Sequence, residues 1–431
     1  MNAFNNENIE VLNRNNKIII LNKENFSWVR MNELIYKKYS DNEHELNNML
    51  RRYNILENND LNNKDCTNIK SIYFALTRKC NMSCEFCSMK SSPNISIEED
   101  LSIDEIKDII LKLKEINPRK IILTGGEPII RSDFIELIDL FNEVFDSNQL
   151  ILQSNGVLLN DELIQLLSSK ILRIDISIEG IFENKKLYED FCKKFEYLKK
   201  EGMDIRFSFV INPDNKKYLE EAIDLSIKYK SNIDIRLVSP IGYALENGSQ
   251  YLNKMDIVFL YKELIEMIIK RGYINKGIFD LKDIPLQPKS ACGAYGRILS
   301  IYPDGNIYMC HSIPEESFSI GNIKNSSWEE INLKLNSKLK DENVENLLFV
   351  DKIPLCKDCS IKYFCTGICA ATRLYCNDID RLTVGCDMTK LLIDFNLFYY
   401  EKNISDLENL EEFLKHIDKY IEKNYCEDKV K

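Results

Sequence analysis

The stretch Cys80-Asn81-Met82-Ser83-Cys84-Glu85-Phe86-Cys87 places three cysteines within eight residues. A structural zinc site or a complete iron–sulfur site normally takes four protein ligands, so this stretch is one ligand short. Three thiolates on a four-iron, four-sulfur cube leave one iron with an open position. The stretch therefore predicts a cluster that binds a small molecule and passes it an electron. The alternative is a partial zinc site that a distant ligand completes.

The cysteine stretch follows the first of six apolar segments that alternate with amphipathic segments. The predicted strands are Ile72–Leu76, Lys120–Leu123, Leu150–Gln153, Leu172–Ile178, Ile205–Ile211 and Ile233–Val238. The predicted helices lie near 103–115, 132–145, 161–168, 184–201, 215–230 and 254–271. Six such units predict an α/β fold, an open (β/α)6 partial TIM barrel with its functional groups at the carboxyl ends of the strands.

The composition is that of a soluble globular chain of two or three domains. It has 431 residues, of which 44% are hydrophobic and 29% charged. A net charge of -11 argues against a broad nucleic-acid surface. No apolar run approaches the length of a membrane span, so we expect a cytoplasmic protein. In a reducing compartment the 14 cysteines are better read as metal ligands than as disulfides.

Polar motifs end several of the predicted strands. Thr124-Gly125-Gly126-Glu127-Pro128 ends the second, where paired glycines allow a backbone to approach a ligand and Glu127 can accept from an ammonium group. A tight turn with a solvated glutamate is the alternative. Gln153-Ser154-Asn155-Gly156 and Ser177-Ile178-Glu179-Gly180 end the third and fourth strands. Asn212 and Arg236 are weaker candidates, and Arg236 fits a barrel-end ion pair equally well.

A second group of cysteines follows the barrel. Its members are Cys292, Cys310, Cys356, Cys359, Cys365, Cys369 and Cys386. The turn Pro303-Asp304-Gly305 predicts a hairpin of Ile298–Tyr302 and Asn306–Cys310, followed by a loop-dominated section up to Cys386. The spacing from Cys356 to Cys369 alone also suits zinc.

The chain ends add smaller elements. Ile9–Leu12 and Lys17–Leu21 predict a hairpin, and Met31–Tyr39 and Glu43–Tyr53 predict helices. This winged-helix-like module either docks a peptide along an exposed strand edge or is an extension that packs on the main domain. Lys390–Lys423 predicts one or two amphipathic helices.

With the Gly125-Gly126-Glu127-Pro128 motif beside it, the cysteine stretch resembles that of the radical S-adenosylmethionine (SAM) enzymes over about residues 70–240. The resemblance implies that Cys80, Cys84 and Cys87 hold a 4Fe-4S cluster that reductively cleaves SAM to a 5′-deoxyadenosyl radical, which takes a hydrogen atom from substrate. Further cofactor contacts are implied for Phe86, Gly125, Gly126, Glu127, Pro128, Ser154, Asn155, Ser177, Glu179 and Asn212. The family commonly has Asp where Glu179 stands.

The seven later cysteines resemble the SPASM extension of radical enzymes that modify peptides. The resemblance implies two auxiliary 4Fe-4S clusters, one on Cys356, Cys359, Cys365 and Cys386. The other is held by Cys292, Cys310 and Cys369, with its fourth position open or filled by substrate or by a less obvious ligand. Cys376 is either that ligand or a free buried thiol, and we interpret Cys66, Cys192 and Cys426 as structural or incidental. His311 stands where sulfatase-maturing members carry an Asp, and is either a base or a cap on the cluster loop.

These resemblances imply a division into four parts: a winged-helix-like module (1–68), a radical SAM barrel (69–285), a SPASM domain (286–389) and C-terminal helices (390–431). We expect a maturase of a ribosomally made precursor peptide that forms a thioether, served by a flavodoxin- or ferredoxin-type electron donor, with no nucleic-acid or membrane partner. Alternatives are carbon–carbon crosslinking, epimerisation, sulfatase maturation, tetrapyrrole-type cofactor synthesis, or a non-enzymatic iron–sulfur or zinc scaffold.

Overall fold

A computed structural model describes residues 7–57, 68–248 and 251–425. Cys66 and Cys426 lie outside these ranges. In the part of the chain that it describes, no helix combines the length and the apolar composition that crossing a membrane requires.

The chain begins with a three-stranded antiparallel sheet and two helices. They are β1 (Ile9–Arg14), β2 (Lys17–Asn22), β3 (Trp28–Asn32), α1 (Glu33–Ser40) and α2 (Glu43–Arg52), with β2 in the middle of the sheet. The predicted hairpin is β1 and β2. The first helix begins two residues later than Met31, because Asn32 caps it by accepting from the Leu34 amide and the preceding residues pair with β2.

The two faces of this small sheet have different partners. One face contributes Ile18, Ile20 and Met31 to a core shared with α2. The other contributes Ile19 and Leu21 to a core with residues from 350–398. The module is therefore attached to the cysteine-rich part of the chain.

Six parallel strands form the barrel, each paired with the next along the chain. They are β4 (Ser71–Ala75), β5 (Lys120–Thr124), β6 (Leu150–Ser154), β7 (Arg173–Ser177), β8 (Asp204–Ile211) and β9 (Asn232–Leu237). Alternate residues such as Ile72, Phe74, Ile174 and Ile176 are fully buried in the main core. The expected open α/β barrel is thus confirmed.

Amphipathic helices pack on these outward-facing residues. They are α3 (Ile103–Ile116), α4 (Phe134–Val144), α5 (Asp161–Ser168), α6 (Lys185–Lys200), α7 (Leu219–Tyr229) and α9 (Lys254–Arg271), and the one-turn helix α8 (Tyr243–Glu246) lies between β9 and α9. Local sequence explains their starts: Ser102 and Glu105 form a capping box, and the Asn160 side chain accepts from the Leu163 amide.

Three further strands extend the barrel sheet beyond its first strand. They are β10 (Ile298–Ile301), β11 (Asn306–Tyr308) and β12 (Ser319–Asn322), and β10 runs parallel to β4. The sequence predicts the β10–β11 hairpin but not its union with the barrel. That union brings the cysteine-rich region against the barrel wall.

The rest of the chain is helical. Its helices are α10 (Trp328–Leu339), α11 (Glu342–Leu348), α12 (Lys362–Cys365), α13 (Ala370–Tyr375), α14 (Ile379–Leu382), α15 (Cys386–Phe398) and α16 (Asp406–Tyr425). The prediction of a loop-dominated section up to Cys386 was wrong. Ser327 and Glu330 form a capping box that starts α10, and Ile331, Leu335 and Leu339 form its buried face. The predicted C-terminal helical segment is α15 and α16.

Candidate active site

The three-cysteine loop leaves the carboxyl end of β4 and folds back on itself. At its base, Lys79 bridges to Ser92, and the Cys80 amide donates to the Ser92 carbonyl at 3.2 Å. At its tip, the Cys87 amide donates to the Cys84 carbonyl at 3.1 Å. The fold thus puts all three thiols of the loop at the mouth of the barrel.

Burial and nearby negative charges both raise the pKa values of thiols in this loop. Burial raises the pKa of the Cys84 thiol to about 12, with further contributions from Glu179, Cys87 and Cys80. Burial likewise raises the pKa of Cys80, to which Glu127 and Cys87 add. Iron supplies the positive charge that such thiolates need, so this donor set fits a cluster. Across the described ranges, no three or more His, Cys, Asp or Glu side chains meet as a group that could hold a single metal ion.

The turn Gly125–Glu127 is hydrogen-bonded to the chain that leads into the cysteine loop. The Gly126 amide donates to the Thr77 carbonyl at 2.8 Å, and the Glu127 amide to the Lys79 carbonyl at 2.9 Å. A β-carbon at Gly126 would lie 2.7 Å from the Arg78 carbonyl oxygen and would overlap that of Lys79. The glycines of this turn therefore allow a close approach to the backbone of residues 77–79, where the sequence led us to expect a close approach to a ligand.

The Glu127 carboxylate is engaged by protein donors. It accepts from the Ser154 hydroxyl at 2.9 Å, the Asn155 amide at 2.8 Å and the Ile129 amide at 3.1 Å. The side chain is fully buried, so the alternative of a solvated glutamate was wrong. Burial raises its pKa, and the hydrogen bonds counteract that shift. Glu127 thus joins the ends of β5 and β6.

Asn155 continues this network to the first cysteine. Its side-chain amide donates to Asn81 Oδ1 at 2.7 Å and approaches the Cys80 sulfur at 3.8 Å. Four residues from three separate motifs, Glu127, Ser154, Asn155 and Cys80, therefore form one connected group.

Glu179 brings an unsatisfied acceptor to the barrel mouth. Its Oε2 is buried and has no hydrogen-bond partner among the described residues. Burial raises its pKa to about 7, although backbone amides and Arg236 act in the opposite direction. A buried acceptor without a donor fits a ligand that supplies one, such as a hydroxyl or ammonium group of SAM. Ser177, at the end of the same strand, is half-buried beside it.

The remaining predicted cofactor residues include Asn212, which forms hydrogen bonds within its own turn, and Pro128 and Phe86, which are buried or half-buried near the site. The Asn212 side-chain oxygen accepts from the amides of Asp214 and Asn215, both at 2.9 Å, and so shapes the turn before α7. Pro128 is buried at the start of a 3₁₀ turn, Pro128–Ile130. Phe86 is half-buried within the cysteine loop.

The inner face of the barrel is polar, and Arg236 is the only one of its charged residues named below that the sequence analysis singled out. Arg173 is paired with Asp175 at 2.7 Å, and Arg236 with Asp234 at 3.3 Å. Burial raises the pKa of Tyr73, which lies within electrostatic range of Arg236, Cys310, Asp175 and Arg173. Alternation of polar and apolar residues along β7 was the signal that could have found this face.

His311 stacks on the first barrel strand. Its ring lies 4.3 Å from the Tyr73 ring, centroid to centroid, with 24° between the planes. Burial, followed by the charge of Arg236, lowers the His311 pKa to about 4. The residue next to Cys310 therefore contacts Tyr73 of the first barrel strand while it keeps an exposed surface.

One cavity collects most of the later cysteines. It has a volume of about 470 Å³, and Cys356, Cys359, Cys365, Cys369 and Cys386 line it. Burial raises the pKa of Cys386 to about 11, with added repulsion from Cys365 and Cys356. The four cysteines of the first expected auxiliary set thus share one space.

The other expected set also converges. Burial raises the pKa of Cys310 to about 11, and Cys369 and Cys292 add to it. The Cys376 sulfur lies 3.9 Å from the Asp378 carbonyl and does not line the cavity. Cys192 lies on α6, where its carbonyl accepts from the Tyr229 hydroxyl at 3.1 Å.

Two family models match the chain. The model described as the radical SAM superfamily matches residues 74–226, which covers the cysteine loop and the turn at Gly125–Glu127. The SPASM model, described as an iron–sulfur cluster-binding domain, matches residues 292–360. That second match covers Cys292, Cys310, Cys356 and Cys359.

Several curated proteins are similar over part of their length. GTP 3′,8-cyclase of Clostridium perfringens (strain SM101 / Type A) is 29% identical over 40% of this chain, which spans 57% of the cyclase. Mycofactocin maturase MftC of Mycolicibacterium smegmatis is 25% identical over 70% of this chain and 78% of its own length. The subtilosin biosynthesis protein AlbA of Bacillus subtilis is 26% identical over 60% of this chain and 58% of its own.

Solved structures share the fold. Native anSMEcpe with bound AdoMet aligns with a TM-score of 0.57 and 16% identity, over 80% of this chain and 99% of its own. Streptococcus suis SuiB bound to the precursor peptide SuiA aligns with a TM-score of 0.54 and 16% identity, over 88% and 98%. Together with the cysteine loop and the strand-end motifs, the two matched models show that residues 74–226 form a radical SAM domain and that residues 292–360 belong to a SPASM domain.

Proposed function

We propose that this protein is a radical SAM peptide maturase that forms a thioether in a ribosomally made precursor peptide. The observation that carries the proposal is that β4 connects to both groups of cysteines. The cysteine loop leaves its carboxyl end, while β10 pairs with its side, so that His311 and Cys310 approach Tyr73. A substrate in the polar barrel interior would thus lie between the cysteine loop and an auxiliary thiol set.

Each group of residues has a distinct part in this proposal. Cys80, Cys84 and Cys87 would hold the SAM-binding cluster, and the later cysteines two auxiliary clusters. When bound, the reduced cluster and SAM would supply a radical able to take a hydrogen atom from a C–H bond, and an auxiliary cluster would supply an acceptor for the electron left over when the new bond forms. The chain itself supports the loop through Glu127 and Asn155, and offers Glu179 as an acceptor for a bound ligand.

The thioether is favoured by the set of three thiols. Cys292, Cys310 and Cys369 lie within electrostatic range of one another, and Cys376 has its sulfur at the Asp378 carbonyl instead. A cube on three thiolates has room for a fourth, which a cysteine of the peptide would supply. One C–H and one S–H bond would then be replaced by one C–S bond. The hydrogen atom of the C–H bond would go to the SAM-derived radical, the thiol proton to solvent, and the remaining electron to an auxiliary cluster.

Peptide docking is assigned to the N-terminal module. Its outer strands β1 and β3 are the edges of the described sheet, and α1, which follows β3, exposes Leu34 by 75% and Ile35 by 49%. An extended peptide can add to such an edge while its apolar side chains contact the helix. The similarity to MftC and AlbA, named for maturation and bacteriocin biosynthesis, supports a peptide substrate.

The test is a mass measurement on the peptide encoded beside the gene. That peptide is incubated anaerobically with reconstituted protein, SAM and a strong reductant, and then alkylated. A thioether removes two hydrogen atoms and one alkylatable thiol. A carbon–carbon crosslink removes the hydrogen atoms but keeps the thiol, and epimerisation leaves the mass unchanged, so either result would contradict the thioether.

The docking role has its own test. Leu34→Glu with Ile35→Glu should weaken binding of the labelled peptide by about tenfold, which corresponds to about 1.4 kcal/mol. Leu333→Glu, on α10, is the matched control because that side chain is equally exposed, by 71%. Equal affinities of the two variants would exclude α1 as part of the docking surface.

A further inference from the structure

The segment that follows β9 reaches across the barrel mouth to the cysteine loop. The Tyr243 amide donates to the Cys87 carbonyl at 3.0 Å, and the Asn247 side-chain amide donates to the Glu85 carbonyl at 3.2 Å. An ion pair between Glu246 and Lys90 adds a third contact. The last barrel strand is thereby connected to the loop of the first.

Gly242 allows the closest part of this approach. Its φ of 61° and ψ of -136° are a backbone conformation that L side chains avoid. A β-carbon there would lie 2.5 Å from the carbonyl oxygens of both Cys87 and Ser88. Neither oxygen belongs to a flexible side chain, so the cysteine loop itself would have to shift.

On the side that faces away from the cysteine loop, the segment packs against the protein interior. Val238 and Ile241 are 6% exposed, and Ala244 is fully buried. The Tyr251 hydroxyl donates to the Ala244 carbonyl at 3.1 Å. On its other side, residues 237–240 line the cavity that holds the auxiliary cysteines. A β-carbon at Gly242 would therefore shift the cysteine loop, because the packing of residues 238–244 holds the segment in place.

We propose that residues 242–247 form a clasp that positions the three-cysteine loop, with Gly242 and Asn247 as positioning residues. The clasp fixes the carbonyls of Glu85 and Cys87, and with them the curvature that places the Cys84 and Cys87 sulfurs. The turn at Gly126 and Glu127 holds the other end of the loop. The inference rests on the proposed function, in which this loop holds the SAM-binding cluster.

The test compares Gly242→Ala with Gly248→Ala. Gly248 has a φ of 63°, close to that of Gly242, but a β-carbon there meets nothing within 4 Å. Both variants place an alanine at a positive φ, and only Gly242→Ala presses on the cysteine loop. After anaerobic reconstitution, Gly242→Ala should hold about four fewer irons per chain than Gly248→Ala, because one cluster is lost. Equal iron content, with an equal SAM-induced change in the electron paramagnetic resonance (EPR) spectrum, would overturn the clasp.

A milder variant covers the case in which Gly242→Ala does not fold. Asn247→Leu removes the donor to Glu85 with little change in volume. It should shorten the life of the SAM-sensitive EPR signal in air several-fold. Gly248→Ala is again the control, because it lies outside the clasp and its β-carbon would meet nothing within 4 Å. Equal lifetimes in Asn247→Leu and Gly248→Ala would contradict the proposal.

The clasp rests on one part of the proposed function, the SAM-binding cluster on this loop, and failure of that part gives a different result. In that case the wild-type protein itself shows no SAM-sensitive EPR signal, whichever glycine is replaced. If the wild type has that signal and Gly242→Ala behaves as Gly248→Ala, the function stands and the clasp is wrong.

Discussion

The barrel cysteines and the later cysteines are held in different ways. The first three lie within eight residues, on a loop that backbone hydrogen bonds fasten to the ends of β5 and β9. The later seven extend from Cys292 to Cys386 and meet because helices pack around a cavity. The first site depends on close backbone approach at glycines, and the second on tertiary packing.

The comparison predicts that each site can be lost without the other. Cys84→Ala removes a ligand of the barrel site only, and should abolish SAM cleavage while lowering iron from about twelve to about eight per chain. Iron analysis and EPR spectroscopy check this. Cys192→Ala, on α6, should keep all the iron. Loss of the auxiliary signals in Cys84→Ala would show that the two sites are not independent.

The converse change is made at the auxiliary cavity. Cys365→Ala should lose about four irons and product formation, yet retain SAM cleavage without peptide. Cys376→Ala is the matched control: this cysteine is 4% exposed but does not line the cavity. Its iron content should equal that of the wild type. A loss of iron in Cys376→Ala would make it a ligand after all.

The dependence of the barrel site on close backbone contacts at glycines is tested at the turn after β5. Gly126→Ala places a β-carbon against the carbonyls of Arg78 and Lys79 and should lower the free energy of unfolding by about 2 kcal/mol. It should also reduce the iron bound by the barrel loop. Gly180→Ala is the control, because its β-carbon would meet only Met82, at 3.9 Å. Equal denaturation midpoints would contradict the role of Gly126.

An effect on stability alone, with no loss of iron, is expected where the N-terminal sheet meets the cysteine-rich region. The Trp28 ring meets that of Phe364 edge-on at 5.3 Å, so Trp28→Ala should cost about 2 kcal/mol of stability. Thermal denaturation with Leu333→Ala as the exposed control measures this. The iron content should not change. A change in iron would mean that the sheet helps to shape the auxiliary site.

The sequence predicts the barrel well because its signals are local. Each barrel strand was placed to within one residue at either end, since buried parallel strands are continuous apolar runs bounded by turns. The ligand loop was equally visible, because its three cysteines lie close together in the sequence.

Long-range pairing was not predictable in the same way. Trp28–Asn32 is a strand because it pairs with β2, and its own residues do not reveal this partner. The union of β10 with β4 and the packing of α10 and α11 likewise depend on distant residues. In the site, Gly242 was missed for the same reason: only the folded chain brings it against the Cys87 carbonyl, 2.5 Å from where its β-carbon would lie.

The most direct test of the central claim is 5′-deoxyadenosine formation. Wild-type protein, reconstituted anaerobically and supplied with SAM and a strong reductant, should produce 5′-deoxyadenosine, and Cys84→Ala should produce none. Wild-type protein that holds its full iron but yields no 5′-deoxyadenosine would contradict the assignment of Cys80, Cys84 and Cys87 as the SAM-cleaving site.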